Sequence, residues 1–560
     1  MNTQTSRAHA RRTRTLSLAV LTGTLLAAGL VSGPATAAST PASPTPGASS
    51  PVSVQSAPAP ASPGAPTEQA AALPPHATER QLAPGVTHGQ FTLGDAETTY
   101  PWVVQLTLPS GQEGVADSQV SSQQVAEQVA AELQAAGFDA RAEAVHADRL
   151  ADSGGYLGHR VRVGDFGTQQ AAVAVQQQVT AETGYAAGTW YAGWDGDAAA
   201  VTEAGPVTVN VLTVDPRRFR GEVTATFGED LERTETTSEL AEGAIAGVNA
   251  GFFVFGDEHG APGDPAGVGA YDGKILSESV GERPALVIDG RSGRARIERL
   301  TWEGQARSGS ERIDLDGINR EPGLIRNCGG TGDTPTDQPR HDVTCADTDE
   351  TVVFTPEFGA STPAGAGLEV VVDHRGAVVE VLQERGTELR RGQFSLQATG
   401  ADVEALQELA DRERGVRLAQ DYRLPDGRKL PMTPDTQVVN GGPNLLTDGR
   451  RDITAARDGM VHADNPGMFY GWVHQRNPRT IAGIDAQGRL VLVTADGRQV
   501  DSVGLSISEA ADLAQQLGLR DAINLDGGGS TAMVVEEALV NSPSGGAERA
   551  VGDAIVIRGR

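Results

Sequence analysis

From Trp102 onward the chain alternates apolar and polar residues in short runs, interrupted by stripes of helical spacing. "WVVQLTLP" (Trp102 to Pro109) reads as a strand. "SSQQVAEQVAAELQAAG" puts Val125, Val129 and Leu133 on one helical face and stops at Gly137, a residue suited to ending helices. "FDARAEAV" then alternates with a period of two. The order recurs with a strand in "YLGHRVRVGDF" (Tyr156 to Phe166), a helix near "TQQAAVAVQQQVTAE" and a last strand around "GTWYAGW". Two βαβ units in tandem predict a small ferredoxin-like β-α-β-β-α-β domain over residues 97–195.

Past Pro206 the pattern changes to strands with occasional short helices, in "VTVNVLTVDP", "AIAGVNAGFFVFG", "ALVID", "LEVVVD", "TIAGID", "RLVLVTADGR" and "DAIVIRG". Ser506 and Glu509 have the spacing of a capping box, which predicts a helix running to about Leu517 and stopping at Gly518. "AINL" then leads into "NLDGGGSTAMVV" (Asn524 to Val535). The predicted class is α+β or mixed α/β: the small domain followed by a larger mixed α/β catalytic domain over 206–560. Three consecutive glycines are costly to order, so they imply a backbone path or a close approach that a Cβ would forbid. A plain glycine turn between strands is the alternative. The loop sits at a strand end, where sites are commonly built.

Ahead of these domains, Arg7, Arg11, Arg12 and Arg14 precede the apolar run "LSLAVLTGTLLAAGLV" and a small-residue "ATA". Residues 1–37 thus read as a secretory signal peptide, with no membrane span expected after cleavage. Residues 38–96, rich in Pro, Ala and Ser, read as a disordered linker unable to bury a core. Length and composition agree with several domains: 560 residues, 73 acidic against 45 basic, formal net charge −28. That balance argues against nucleic acid as a partner. Export also changes the meaning of the two cysteines. In an oxidising compartment Cys328 and Cys345 are expected to form a disulfide, since two thiols without a CxxC make a poor metal site.

Several familiar chemistries are excluded. The glycine run lacks the Lys-Ser/Thr pair of a phosphate-binding P-loop. "GGSTA" has Ala532 where a nucleophile elbow needs glycine. "DLDGIN" has the wrong spacing for an EF-hand, and His259, His341, His374, His462 and His474 show no zinc-ligand spacing. No cofactor is called for, and whether a metal joins Asp526 stays open. What remains is a set of polar clusters beside glycine or proline. Asn249 lies in "VNAGFF"; Asn440, Gly441 and Gly442 in "NGGPNLL"; Arg476, Arg479 and Thr480 in "RNPRTIAGID". The last cluster is Asp526, Gly527, Gly528, Gly529, Ser530 and Thr531. Arginine forks pair with phosphate oxygens, amides and hydroxyls read sugar hydroxyls, and bare glycine N–H groups cradle anions, so the inventory suits a sugar phosphate.

Two resemblances sharpen this reading. "GHRVRVGDFGTQQAA" resembles the SPOR family, whose domains bind peptidoglycan glycan strands across an exposed sheet. The resemblance implies that role for residues 97–195, with Tyr156, Arg160 and Arg162 on one strand either meeting the ligand or forming an ordinary solvated face. "VNAGFF", "GGP", "RNPRT" with "AGID", and "NLDGGGSTAM" resemble, in that order, the phosphodiester glycosidase family, typified by the uncovering enzyme that removes N-acetylglucosamine from a phosphodiester. Residues 321–360 depart from the family and read as an insertion. The resemblance implies a secreted hydrolase acting on a carbohydrate phosphodiester, with an association with the cell wall as a further expectation. Asp526 would act near C1 and Arg479, with Arg476 second, would hold phosphate. Asn249, Thr480, Ser530 and Thr531 would orient the substrate, with Asn440, Gly441, Gly442 and the loop glycines completing the binding set. The competing reading is a non-catalytic peptidoglycan-binding protein acting through residues 97–195.

Overall fold

The longest run of buried strands forms one antiparallel sheet whose two faces are both covered. The computed structural model describes residues 73–197 and 205–560 apart from Glu413, and all of these fall in one compact unit. The expected signal peptide, and the linker as far as residue 72, lie outside the described residues. The end of the expected linker is a correction. β1 (Thr78–Ala83) and β2 (Val86–Leu93) form a hairpin, and β2 pairs antiparallel with β7 (Val207–Val214). Val86, Phe91 and Leu93 are buried there, three apolar anchors in a stretch otherwise poor in them.

This sheet has eight strands in the order β1, β2, β7, Leu490–Ala495, Arg479–Asp485, Leu519–Asn524, Asn444–Thr447, Arg450–Arg451. Every residue of Leu490–Ala495 is buried, as a strand covered on both faces requires. Val491 and Val493 pack with Ala510, Leu513 and Ala514 of the helix Ile507–Gln516, while Leu490 and Leu492 join the opposite core. That second core is shared with strands Ala246–Asn249 and Ala554–Arg558 of one five-stranded sheet, and with Pro284–Asp289 and Thr436–Asn440 of another. The capping box at Ser506 and Glu509 is present. Strands dominate 206–560 and helices are few, so the balance leans further toward antiparallel sheet than the expected mixed α/β class.

Between β2 and β7 lie β3 (Trp102–Leu106), α1 (Gln123–Ala135), β4 (Ala140–Ala147), β5 (Gly155–Phe166), α2 (Gln169–Thr183) and β6 (Ala187–Tyr191). The four strands form a separate sheet in the order β4, β5, β3, β6. Val161 and Val163 on β5 pack with Val129, Leu133 and Val179 of the helices. By strand alternation Arg160 and Arg162 occupy the other face.

That other face is closed, which corrects both readings of its arginines. Arg160 and Arg162 are only 6% and 2% exposed. Arg162 makes a two-pronged contact with Asp195 at 2.6 and 2.7 Å. Arg160 pairs with Glu143 at 2.8 Å and Asp197 at 2.9 Å, and donates to the Tyr470 hydroxyl at 3.4 Å. Asp197 also meets His474 at 2.9 Å. Burial works against its charge, but the His474 hydrogen bond and the Arg160 guanidinium together hold Asp197 well below the usual carboxylate range. Gly196 crosses so close that a Cβ would sit 1.7 Å from the His474 carbonyl oxygen. Of the three residues named from the sequence, Tyr156 alone is open, at 53% exposure.

Candidate active site

The glycine loop begins where strand Leu519–Asn524 leaves the sheet. The Leu525 amide still donates to the Thr480 carbonyl at 2.8 Å, and the Asp526 amide turns to the Ala250 carbonyl at 3.0 Å. Asn249, fully buried, ties the pieces together. Its Nδ2 donates to the Asp526 carbonyl at 2.7 Å, and its Oδ1 accepts from the Thr480 hydroxyl at 2.7 Å and the Ala532 amide at 3.1 Å. Thr480 also reaches Thr531 at 3.4 Å. Asn440 clamps Phe252 in both directions, accepting from its amide at 2.8 Å and donating to its carbonyl at 3.1 Å. A Cβ on Gly441 would sit 2.8 Å from the Asn524 carbonyl oxygen, which accepts from the Gly442 amide at 2.8 Å. Asn249, Asn440, Gly441, Gly442, Thr480 and Thr531 therefore lie beneath the loop and hold it. They do not line the cavity above it, where the sequence reading placed them as substrate contacts.

That cavity, of about 670 Å³, is lined by Asp526, Gly527, Gly528, Gly529, Ser530 and Arg479 of the sequence-derived set. Each glycine has its own reason. A Cβ on Gly527 would approach the Pro478 carbonyl oxygen to 2.8 Å, Gly528 has a left-handed φ of 59°, and a Cβ on Gly529 would sit 2.3 Å from Nη2 of Arg549. The amides of Gly527, Gly528, Ser530 and Thr531 are already hydrogen-bonded within the protein, so the loop is not the cradle of bare N–H groups anticipated. Its glycines admit arginines instead. Arg498 lies 3.5 Å from the Cβ position of Gly528 and is held through Nε by Asn477 at 2.9 Å. Arg549 stacks over Phe255, 5.0 Å from the ring centroid.

Arg479 is the deepest of the three guanidiniums. It donates to the carbonyls of Leu505 at 2.9 Å and Trp472 at 2.7 Å, and lies 5.2 Å from the Trp472 ring centroid. Burial, reinforced by the neighbouring Arg498 charge, lowers its pKa to about 9, so it remains charged at neutral pH. Among the described residues, none of Arg479, Arg498 and Arg549 has a carboxylate within ion-pair distance; their contacts are carbonyls, an amide and aromatic rings. Burial pushes the Asp526 carboxyl up to about 7, against the opposing pull of Ser530, Arg549 and the Gly527 amide.

Arg476 does not join them, a further correction. It makes a two-pronged pair with Glu509 at 2.7 and 3.0 Å and donates to the Gly193 carbonyl at 2.9 Å, away from the cavity. Sequence reasoning missed Arg498, Arg549 and Trp472; the Cys328–Cys345 disulfide it expected is present, but it did not place the loop so closed at the cavity. Within it His341 and Asp342 line the wall, and Arg326 and Asn327 join them from just ahead of Cys328. Arg498 and Arg549 each stand alone in polar stretches, with no motif to single them out. Among the described residues no group of three or more His, Cys, Asp or Glu is arranged to hold a metal. A smaller cavity of about 290 Å³ is lined by Asp264, Glu278, Arg320 and Glu350, but there the one central guanidinium is already paired with Glu278 and Glu350.

The family pattern described as phosphodiester glycosidase matches residues 366–558, and the SPOR domain pattern matches 118–188. A solved structure, a putative exported protein from Burkholderia pseudomallei, is 32% identical, superposes with a TM-score of 0.74, and matches 87% of this chain and 97% of its own. The chain belongs to the phosphodiester glycosidase family. N-acetylglucosamine-1-phosphodiester alpha-N-acetylglucosaminidase of Mus musculus is 34% identical over 117 residues, and its Homo sapiens counterpart 40% over 112. Each match covers 20% of this chain and 22% of the relative, so the chain spans about a fifth of the length of these curated relatives. The matched family region contains Arg479, Arg498, Asp526 and Arg549, and leaves out the disulfide-closed loop.

Proposed function

We propose that this chain is a secreted hydrolase, a phosphodiester glycosidase that cleaves the C1–O bond of glycosyl phosphodiesters in cell-wall or extracellular polysaccharide. The observation that carries the reading is the convergence of three guanidiniums without carboxylate partners on the loop bearing Asp526. Such a wall has charge to offer an anionic phosphate and geometry to hold its oxygens. Asp526 keeps its proton up to about pH 7. Its proposed role is therefore that of an acid, handing the proton to the phosphate oxygen as the C1–O bond breaks, rather than acting at C1 itself as anticipated. Water adds at C1 and gives its proton to a base. Asp342, the other carboxylate among the described lining residues, is the candidate for that step.

Export is supported by the Burkholderia relative's description and by a disulfide, which persists in oxidising compartments. No described helix is long and apolar enough to cross a membrane. The strand order and helix placement of residues 102–191 support classing them as ferredoxin-like. Peptidoglycan association remains our proposal for 97–195, through surfaces other than the covered sheet face. The deciding experiment offers a panel of glycosyl-1-phosphate diesters and follows sugar release by mass spectrometry. Release by the wild type with loss in Asp526→Asn is the expected result; no release from any diester would reject the hydrolase.

A further inference from the structure

The loop closed by Cys328 and Cys345 brings an imidazole into the cavity wall that neither the family match nor the glycine loop accounts for. Strand Ile325–Arg326 pairs with Thr344–Cys345, the Asn327 amide donates to the Val343 carbonyl at 2.7 Å, and the His341 amide donates to the Gly459 carbonyl at 2.8 Å. Held this way, the His341 ring packs edge-on to two aromatics that also line the cavity, with centroids 4.4 Å from Phe252 and 4.6 Å from Trp472. Arg479 lies across the same Trp472 ring. A continuous row thus runs from the deepest guanidinium through an indole to an imidazole and a phenyl ring.

His341 is 5% exposed, and its Nδ1 is buried with no hydrogen-bond partner. A buried polar atom left unpaired is expensive and calls for an explanation. The charged groups facing the ring are Arg283, Arg326 and Arg479, with His462 nearby, and burial with these cations keeps the imidazole neutral at neutral pH. In that positive field Nδ1 is better placed as a bare lone pair than as an unpaired N–H, which puts the ring's single proton on Nε2. The side chain is then an uncharged donor in a wall that also carries the guanidiniums of Arg326 and Arg479.

We propose that His341 is a specificity-determining residue, donating from Nε2 to a hydroxyl or amide oxygen of an uncharged pyranose that lies against Trp472 and Phe252, while the arginines hold phosphate. The inference rests on the hydrolase reading and deepens it. It assigns the sugar side of the site to the disulfide-closed loop, outside the matched family region. Aromatic rings suit the apolar face of a pyranose, and a neutral donor favours neutral sugar oxygens over a second phosphate. Reduction of the disulfide should release the same subsite.

The test measures KM and kcat of wild type, His341→Gln and His341→Ala on the methyl phosphodiester of N-acetylglucosamine 1-phosphate, with inorganic phosphate as competitor. We expect His341→Ala to raise KM about tenfold with kcat nearly kept, and His341→Gln, which retains an amide donor, to stay within about threefold, as loss of one hydrogen bond in an otherwise intact site implies. Inhibition by inorganic phosphate should be unchanged in both. Dithiothreitol should raise the wild-type KM but add little to His341→Ala. Equal KM values in wild type and His341→Ala, or a matching loss of phosphate inhibition, would overturn the inference while leaving the hydrolase reading standing. Should the wild type cleave no diester, that reading falls, and saturation-transfer NMR with methyl N-acetylglucosaminide still decides the subsite. A wild-type signal lost in His341→Ala supports it, and no wild-type signal overturns it.

Discussion

Ionising Asp526 puts a negative charge on a partly buried carboxyl, and that has consequences for stability as well as catalysis. Its folded pKa, about 7, lies above the ordinary carboxylate value near 4, so the fold loses stability as pH rises from about 4, and the loss is complete above about 7. Asp526→Asn keeps an acceptor for the Gly527 amide and has no proton to lose. Its melting temperature should exceed that of wild type at pH 8 and match it at pH 4, by calorimetry. The gain should be on the order of 1 kcal/mol or more, since a tenfold change in proton affinity is worth about 1.4 kcal/mol. Turnover should fall by about 10²–10⁴-fold, and wild-type turnover should decline above pH 7. An unshifted alkaline limb would place the acid elsewhere. Arg476 and Arg479, three residues apart, should part company. Arg476→Ala leaves Glu509 buried and unpaired, at a cost of about 3–5 kcal/mol in denaturant titration. Arg479→Lys gives up part of the pairing with the Leu505 and Trp472 carbonyls, so it should lower the melting temperature only modestly while costing about ten- to hundredfold in kcat/KM. At this scale the sequence showed Asp526, Arg479 and Ser530, because a dense motif marks them. It did not show Arg498, Arg549 or His341, which are isolated in loops and acquire meaning only from what folding sets beside them. The hydrogen-bonding residues of the same motifs were legible as polar and close to the loop; whether they face inward or outward was not.

One element of the cavity wall is the helical stretch from Pro466–Met468 into Phe469–His474, where the backbone widens to a π-helix. Its cavity side supplies Met468, Gly471 and Trp472, and its other side supplies Tyr470 and His474 to the buried arginine network. Tyr470→Phe would leave Arg160 and Gln105 without that hydroxyl. Amide exchange across 466–477 should then quicken severalfold and KM should rise, with the melting temperature little changed. Unaltered exchange would mean the network does not steady the wall. The helices near 121–137 and 506–517 were readable because stripe, cap and stop are local signals that agree. "FYGWVH" carries no apolar period, and its shape depends on partners on β5 and in the Gly196 turn.

Across the whole molecule, residues 102–197 sit between two strands of one sheet, and their arginine-bearing face is spent on the chain's own wall. The tandem βαβ order was legible from periodicity alone. The covered face was not, since Arg160 and Arg162 alternate with valines as residues on a solvated strand would. Residues 78–93 were hidden for a related reason: a few apolar anchors look like linker until β7 is there to receive them. That hairpin has a consequence for anyone who trims the protein. A chain started at residue 206 keeps β7 but loses the eight-residue ladder from Val86 opposite Val214 to Leu93 opposite Val207. It would present a long open edge, apolar on both faces, with nothing to discourage a second copy from pairing there. Such a fragment should run as dimers and larger aggregates in light scattering, where a chain started at residue 73 stays monodisperse. The short strand that looks dispensable is what keeps the catalytic sheet from recruiting its own kind.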